Sequence, residues 1–563
     1  MTRLPAGTPT GDADVTVVVI VHNDAARLPR AVASVCRQTH PGLDIVISDD
    51  HSTDDTPEVA RRLAAGDPRV RYLRLPVNSG GCGVPRNRAV AASRAPYLMF
   101  LDSDDELPDN AVELLLAAHR ERRVDFTMGA VVRIRADSGR RSTWMPHLVT
   151  ERRTVNGIEA DPRLFFEHLA TSKMYARAFL DRHGLLFPED IHYEDQLFSA
   201  RAYCLAGAFT IIPEPVYHWY VAPYAPAAAA SISNQRDRLA NVRDRVHVQG
   251  LIDAFLAESG HGALRPAKDY KFLKHDFRMY SGDLPHRDEE WLTGFADIVG
   301  PYLATLDPDA YARLPRAERV VIRLIRERRL PEARLAARGL GHGVAPRQVT
   351  ADTDGRVYWG DRVPGTEDGR RELDVGDLEL ETRPFPNALF RHEITRVAPG
   401  PGACVDLTVR TYDPGLRLPV GPLRAALHLT PGTRRLTVPF RLSPERPGVF
   451  EGRVRLPLAA TPLPVQGFDG VRHPVVRLAR HGMSNTGVLL APLDFPALTT
   501  RVDYRSGTAP HRVTVEPEGH APGRLQIRWQ PVGVTARLIR PVVRRVARPP
   551  VKRAARLLAS VLR

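Results

Sequence analysis

Residues 97–106 read Tyr97-Leu-Met-Phe-Leu-Asp102-Ser-Asp104-Asp105-Glu106, an apolar run that ends in a cluster of carboxylates. Such a run suits a strand buried on both faces, and the acids fall where that strand emerges. Like charges packed so closely repel unless a metal, an arginine or water neutralises them, and Asp-x-Asp spacing is what a divalent ion bridging to a diphosphate requires. Upstream, Val15-Thr-Val-Val-Val-Ile-Val21 is a continuous run of the same kind that ends in His22-Asn23-Asp24. The spacing of Leu28, Ala31, Val32 and Val35 predicts a helix over 27–38, and a second strand over 44–48 runs into Asp49-Asp50-His51-Ser52-Thr53-Asp54. The alternation repeats: helix 56–65, strand 70–75, helix 85–93 opened by Pro85, strand 97–101, helix 110–122. This pattern predicts a parallel α/β sheet. Ligands of such sheets bind beyond the carboxyl ends of the strands, the edge where Asn23, Asp50, Asn78, Asp102, Asp104 and Asp105 fall.

Four segments thus stand in order: the strand ending at His22-Asn23, the Asp49–Asp54 turn, Asn78-Ser-Gly-Gly-Cys-Gly-Val-Pro-Arg-Asn87, and Leu101-Asp-Ser-Asp-Asp105. In this order they resemble the family 2 glycosyltransferases, which have the GT-A (Rossmann-like) fold. A fifth segment, residues 171–198, contains Tyr193-Glu194-Asp195-Gln196 and resembles the family's acceptor-side region, whose Glu-Asp pair supplies the catalytic base. The resemblance implies Asp195 as general base, with Glu194 beside it. It also implies a nucleotide-sugar site of His22, Asn23, Asp50, Asn78, Arg86 and Asp102. In that site Asp50 bonds the nucleotide base, His22 stacks on it, and Arg86 assists the diphosphate. Asp104, with Asp102, is implied as ligand of Mg²⁺ or Mn²⁺, an ion that takes oxygen donors and retains several waters. Two departures stand out. His22-Asn23-Asp24 replaces the Tyr-Asn and nearby Glu of many relatives, and the Arg often found soon after the strand Val216-Tyr-His-Trp-Tyr220 is absent from an Ala- and Pro-rich stretch at 222–230.

At 563 residues the chain is too long for one core. The reading divides it into a catalytic domain over 1–235, a helical linker over 236–343, a β-sandwich over 344–517 and a basic amphipathic tail over 518–563. The linker shows helical spacing at Leu239, Val242, Val246, Leu251 and Phe255, and the sandwich shows short alternating runs such as Leu373-Asp-Val-Gly-Asp-Leu-Glu-Leu380, Cys404-Val-Asp-Leu-Thr-Val-Arg410 and Gly452-Arg-Val-Arg-Leu-Pro-Leu458. This architecture resembles bacterial wall teichoic acid glycosyltransferases, whose accessory modules bind polymer or drive homo-oligomerisation.

Residues 524–563 contain ten Arg, one Lys and no acid, with apolar residues interleaved. That composition favours an interfacial segment on anionic lipid over a disordered basic tail, and over a nucleic-acid surface most of all, since no aromatics alternate with the charge. No run of about twenty apolar residues is present, nor an N-terminal export segment. Cys36, Cys82, Cys204 and Cys404 lack metal-ligand spacing. The expectation is a cytoplasmic, metal-dependent inverting transferase, peripheral on the inner membrane face. It would move a sugar from a nucleotide diphosphate, UDP-linked, to a hydroxyl of a cell-envelope glycopolymer such as wall teichoic acid or of a lipid-linked acceptor. The alternatives are an exopolysaccharide or glycolipid glycosyltransferase, or a catalytically weak glycan-binding scaffold.

Overall fold

The computed structural model describes residues 13–136, 139–189, 191–221, 235–337, 346, 348–430, 436–460, 471–491, 497–502, 511–517 and 524–531. Contacts divide the chain into two compact units, residues 1–280 with 289–314 and residues 281–288 with 315–563.

The first unit opens with β1 (Val15–Val21), α1 (Leu28–Cys36), β2 (Leu43–Asp49), α2 (Thr56–Gly66), β3 (Val70–Arg74), α3 (Gly83–Ala91), β4 (Tyr97–Asp102) and α4 (Ala111–Arg122). Every residue of β1 is buried, because the strand pairs in parallel with β2 on one side and β4 on the other and is covered on both faces. Strand alternation divides its side chains: Val17, Val19 and Val21 join α1 and α4 in one core, while Val18 and Ile20 join Phe100 in the other.

The expected parallel sheet holds for β1 to β4, and beyond them the sheet is mixed. After β5 (Phe126–Arg135) come the short strands β6 (Arg141–Thr143) and β7 (Arg153–Val155), then β8 (Lys173–Ala176), α5 (Arg177–His183), α6 (Glu194–Leu205) and β9 (Phe209–Val221). The sheet order is β3-β2-β1-β4-β8-β5-β9-β7, with β6 on β5. β8 lies antiparallel between β4 and β5. No α-helix connects β5 to β8, so the chain lacks the crossover that a parallel return needs. α6 covers the second face of the sheet, where Phe198 stacks on Phe187 with ring centroids 3.9 Å apart and Phe100 meets Phe187 edge-on at 5.1 Å. α7 (Leu239–Glu258) extends this core through Val248, Ile252 and Leu256.

The second unit carries the hairpin β10 (Val349–Ala351) and β11 (Val357–Trp359), then β12 (Arg391–Gly400), β13 (Cys404–Tyr412), β14 (Leu423–Thr430), β15 (Leu436–Arg446), β16 (Val449–Pro457), β17 (Val471–Arg480), β18 (Met483–Leu490), β19 (Leu498–Val502), β20 (His511–Pro517) and β21 (Leu525–Pro531). Their order is β14-β15-β16-β13-β12-β18-β17-β21-β20-β19, and a further β14–β17 pairing closes the first seven into a ring, so the strands of the expected sandwich join as a barrel. Two sequence expectations change here. Leu373–Leu380 is not a strand: a helix (Glu367–Leu373), capped by the Thr366 hydroxyl on the Gly369 amide, ends there and a 3₁₀ turn (Gly376–Leu378) follows. The stretch read as tail from 518 contains β21, which pairs along its length with β20 and buries Leu525, Ile527 and Trp529 at alternate positions. Residues 518–523 and 532–563, the rest of that tail, lie outside the described residues. Among the described residues no helix is long and apolar enough to cross a membrane.

Candidate active site

The carboxyl ends of β1, β2 and β4 form one rim. After β1 the chain turns at Asn23, at φ +47°, a conformation that asparagine tolerates better than most residues. Its backbone amide donates to Ser52 Oγ at 2.9 Å, and its Oδ1 accepts from the Thr53 amide at 2.7 Å, which locks the first rim loop to the second. His22 Nδ1 lies 2.9 Å from the Asp50 carbonyl. Asp50 is buried, and its carboxylate is occupied from within: the Ser79 amide and hydroxyl each donate to it at 2.9 Å, and Asn78 Nδ2 donates at 3.2 Å. His22, Asn23, Asp50 and Asn78 therefore come together, as the sequence suggested. Ser79 is a partner that the sequence reading left unassigned.

The acidic turn after β4 is built differently. Asp105 is buried and accepts from the Tyr217 hydroxyl at 2.7 Å and the Tyr220 amide at 2.8 Å, both from β9, so burial pushes this carboxyl well up while these bonds pull it back. Asp104 is pushed up to about 6, first by burial and then by the charge of Asp102. Arg27, at the start of α1, reaches Asp104 Oδ2 at 3.3 Å and Asp24 Oδ1 at 2.7 Å, and the Ser103 hydroxyl holds the other Asp24 oxygen at 2.6 Å.

Arg86 lies 4% exposed in α3, and its two terminal nitrogens are spent on carboxylates: Nη2 donates to Asp102 at 2.8 Å, and Nη1 to Glu194. Burial alone would lower the guanidinium; Asp102 and Glu194 outweigh it and raise it. Arg86 thus bridges the β4 turn and α6. Asn87 completes it by exchanging bonds with the Phe187 backbone, Nδ2 to the carbonyl at 2.9 Å and Oδ1 from the amide at 3.0 Å. Gly83 permits that approach, since a Cβ there would stand 2.1 Å from the Pro188 carbonyl oxygen. The Arg86-Asn87 dipeptide was visible in the sequence; that the pair fastens α3 to the segment before α6 was not.

Glu194 and Asp195 open α6 and are unlike. Glu194 is buried on Arg86, whereas Asp195 is half-buried and its carboxylate accepts no hydrogen bond among the described residues. Burial first, and the neighbouring Glu194 second, push Asp195 up to about 7. The segment 222–234, where the family Arg was missed, lies outside the described residues.

Whether a divalent ion fits can be judged from the donors. Among the described residues no three His, Cys, Asp or Glu side chains converge as a metal-holding group. Asp102 and Asp104 offer hard oxygens at the end of β4, each also paired to an arginine, Asp102 to Arg86 and Asp104 to Arg27. Two carboxylates completed by substrate phosphates and water is the usual environment of Mg²⁺, so the donor set fits.

Residues 16–190 match the family described as Glycosyl transferase family 2. The chain is 30% identical over 212 residues to the poly(ribitol-phosphate) beta-N-acetylglucosaminyltransferase TarP of Staphylococcus aureus, covering 37% of this chain and 62% of that protein. It is 28% identical over 215 residues to the putative glycosyltransferase EpsH of Bacillus subtilis, covering 37% and 60%. To the poly(ribitol-phosphate) beta-glucosyltransferase of Bacillus spizizenii it is 27% identical over 210 residues, covering 37% and 32%. The matches thus span less than two thirds of these relatives' own lengths. Among solved structures, residues 1–349 of Staphylococcus aureus TarS in complex with UDP-GlcNAc share the fold at TM-score 0.50 and 20% identity, over 62% of this chain and 97% of that one. Residues 16–190 thus form a domain similar to the family 2 glycosyltransferases, in a unit that shares the GT-A fold of TarS.

Proposed function

We propose that this chain transfers a sugar from a UDP-sugar to a hydroxyl of a teichoic-acid-type glycopolymer, with inversion at the anomeric carbon. One observation carries the reading: Arg86 ties the acidic turn of β4 to the start of α6 and occupies Glu194, leaving Asp195 as the unengaged carboxylate beside it. Asp195 is our general base. It takes the proton of the acceptor hydroxyl as that oxygen attacks the anomeric carbon opposite the departing diphosphate, and a single displacement inverts the configuration. A carboxyl at about 7 is matched to this task near neutral pH. Glu194 and Arg86 orient it. Asp50, His22, Asn23 and Asn78 form the nucleotide side of the rim, and Asp104 with Asp102 would hold Mg²⁺ or Mn²⁺, which offsets negative charge on the leaving diphosphate.

The acceptor class is supported by the names of two relatives, both poly(ribitol-phosphate) transferases, and the donor class by the UDP-GlcNAc complex of TarS. The nine basic residues of 532–563, with no acid among them, support work at an anionic membrane surface. The test is transfer of labelled sugar from UDP-GlcNAc or UDP-glucose to poly(ribitol phosphate), with Mn²⁺ or Mg²⁺. Asp195→Asn is expected to lower turnover by about 10²- to 10⁴-fold while sparing UDP binding. Full turnover in that variant would remove the base assignment. No transfer by the unaltered chain with any UDP-sugar would favour the glycan-binding scaffold.

A further inference from the structure

Beneath the start of α6 lies a buried charged cluster that the proposed reaction does not use. Lys271 ends the helix Arg265–Lys271, Asp276 lies in the π-helical turn Phe272–Phe277, and Arg245 comes from α7. All three are at least nine-tenths buried. Asp276 receives Lys271 Nζ on Oδ2 at 2.7 Å and Arg245 Nη1 on Oδ1. Residues five apart diverge on an α-helix; the wider π turn lets Lys271 and Asp276 meet, and such turns recur at functional sites.

The cluster grips both neighbours of the Glu194–Asp195 pair. Gln196 Oε1 accepts from Lys271 Nζ at 2.6 Å and from Gln249 Nε2 at 2.8 Å. Tyr193 sits at φ +67°, a conformation that a bulky residue keeps only when its surroundings hold it. The Arg245 guanidinium covers its ring at 3.7 Å, and its hydroxyl donates to Asn241 Oδ1 at 2.9 Å. With Glu194 tied to Arg86, the residues on both sides of Asp195 are anchored while its own carboxylate is left unengaged.

We propose that Arg245, Asp276 and Lys271 form a positioning device that pins Tyr193 and Gln196 from the helical segment, and so aims the Asp195 carboxylate at the incoming alcohol. This rests on Asp195 being the base. The groups whose charge bears on Asp195 are Glu194 from its own helix, Arg86 and Cys82 at α3, Lys173 and Tyr175 on β8, and Lys271 and Arg245 of the cluster. Two cations against the single Asp276 leave a positive excess, which favours ionised Asp195 and opposes the effects of burial and Glu194.

The experiment compares the full chain with Lys271→Gln and Lys271→Arg, using UDP-GlcNAc or UDP-glucose, whichever the unaltered chain transfers, and poly(ribitol phosphate). Lys271→Gln is expected to lower kcat about tenfold or more at unchanged KM for the UDP-sugar, and to move the rising limb of kcat against pH upward by about half a unit to one unit; Lys271→Arg restores both. Unchanged kcat and pH limb, or lost activity with no pH displacement, would overturn the proposal. Should Lys271→Gln fail to fold by circular dichroism, Tyr193→Phe carries the test. It removes the hydroxyl's bond to Asn241 together with its contacts to Arg245 and Tyr280 and is expected to lower kcat several-fold at unchanged donor KM, and wild-type kcat would overturn the proposal. Asp195→Asn run in parallel keeps the two readings apart. Its full turnover removes the base itself, whereas its inactivity beside an unaltered Lys271→Gln enzyme removes only the positioning role.

Discussion

The turn after β4 and the start of α6 each present adjacent carboxylates, and each buries one to leave another toward the rim. In the β4 turn the buried acid is Asp105, held by neutral donors, the Tyr217 hydroxyl and the Tyr220 amide of a neighbouring strand. At α6 the buried acid is Glu194, held by the guanidinium of Arg86. The first arrangement comes from strands of one sheet and needs no counter-charge beneath it. The second depends on a cation from α3, on Arg245 and Lys271 around Asp276, and on a tyrosine kept at positive φ. A buried carboxylate can thus be held by donors of a single sheet, whereas the one at α6 takes its partner from a distant part of the chain.

Arg86 joins the two regions, so its removal has the largest expected effect. Arg86→Met leaves Asp102 and Glu194 without their counter-ion and is expected to cost about 3–5 kcal/mol in urea unfolding; a loss under about 1 kcal/mol would show the two clusters to be independent. Asp104→Ala touches the β4 turn alone. It should weaken Mn²⁺-dependent UDP binding about tenfold or more in calorimetric titration and leave metal-free binding unchanged. The α6 side is sharpened by pH. Because Asp195 is pushed up to about 7 and acts only when ionised, kcat should rise with pH and level off above that value. A rate flat between about pH 5 and pH 8 would remove Asp195 from the role. The smallest change is Tyr217→Phe, which takes one of two donors from buried Asp105 and should cost about 1–2 kcal/mol in thermal or urea unfolding, with transfer reduced only a few-fold.

The first four strands and their helices were legible because their signals are local: short apolar runs, β-branched throughout in Val15–Val21, each followed by a helical segment. Local signals end at β5. Nothing within Lys173–Ala176 states which strand it will pair with, and its antiparallel place between β4 and β5 follows from a connection that lacks a crossover helix. β21 was hidden for another reason: Arg528, with Arg524 just before the strand, read as part of a basic tail until pairing with β20 showed Leu525, Ile527 and Trp529 facing a core.

Among site residues the same boundary holds. By itself the sequence determined which acids stand at the rim, since strand ends and turn residues are properties of short segments. Tertiary structure alone decided which of those acids is already spent. Nothing local relates Arg86 to Glu194; folding alone brings these partners, more than a hundred residues apart, within hydrogen-bonding reach. Burial makes the difference: a charge withdrawn from water takes whatever partner the fold supplies, and no local pattern names that partner.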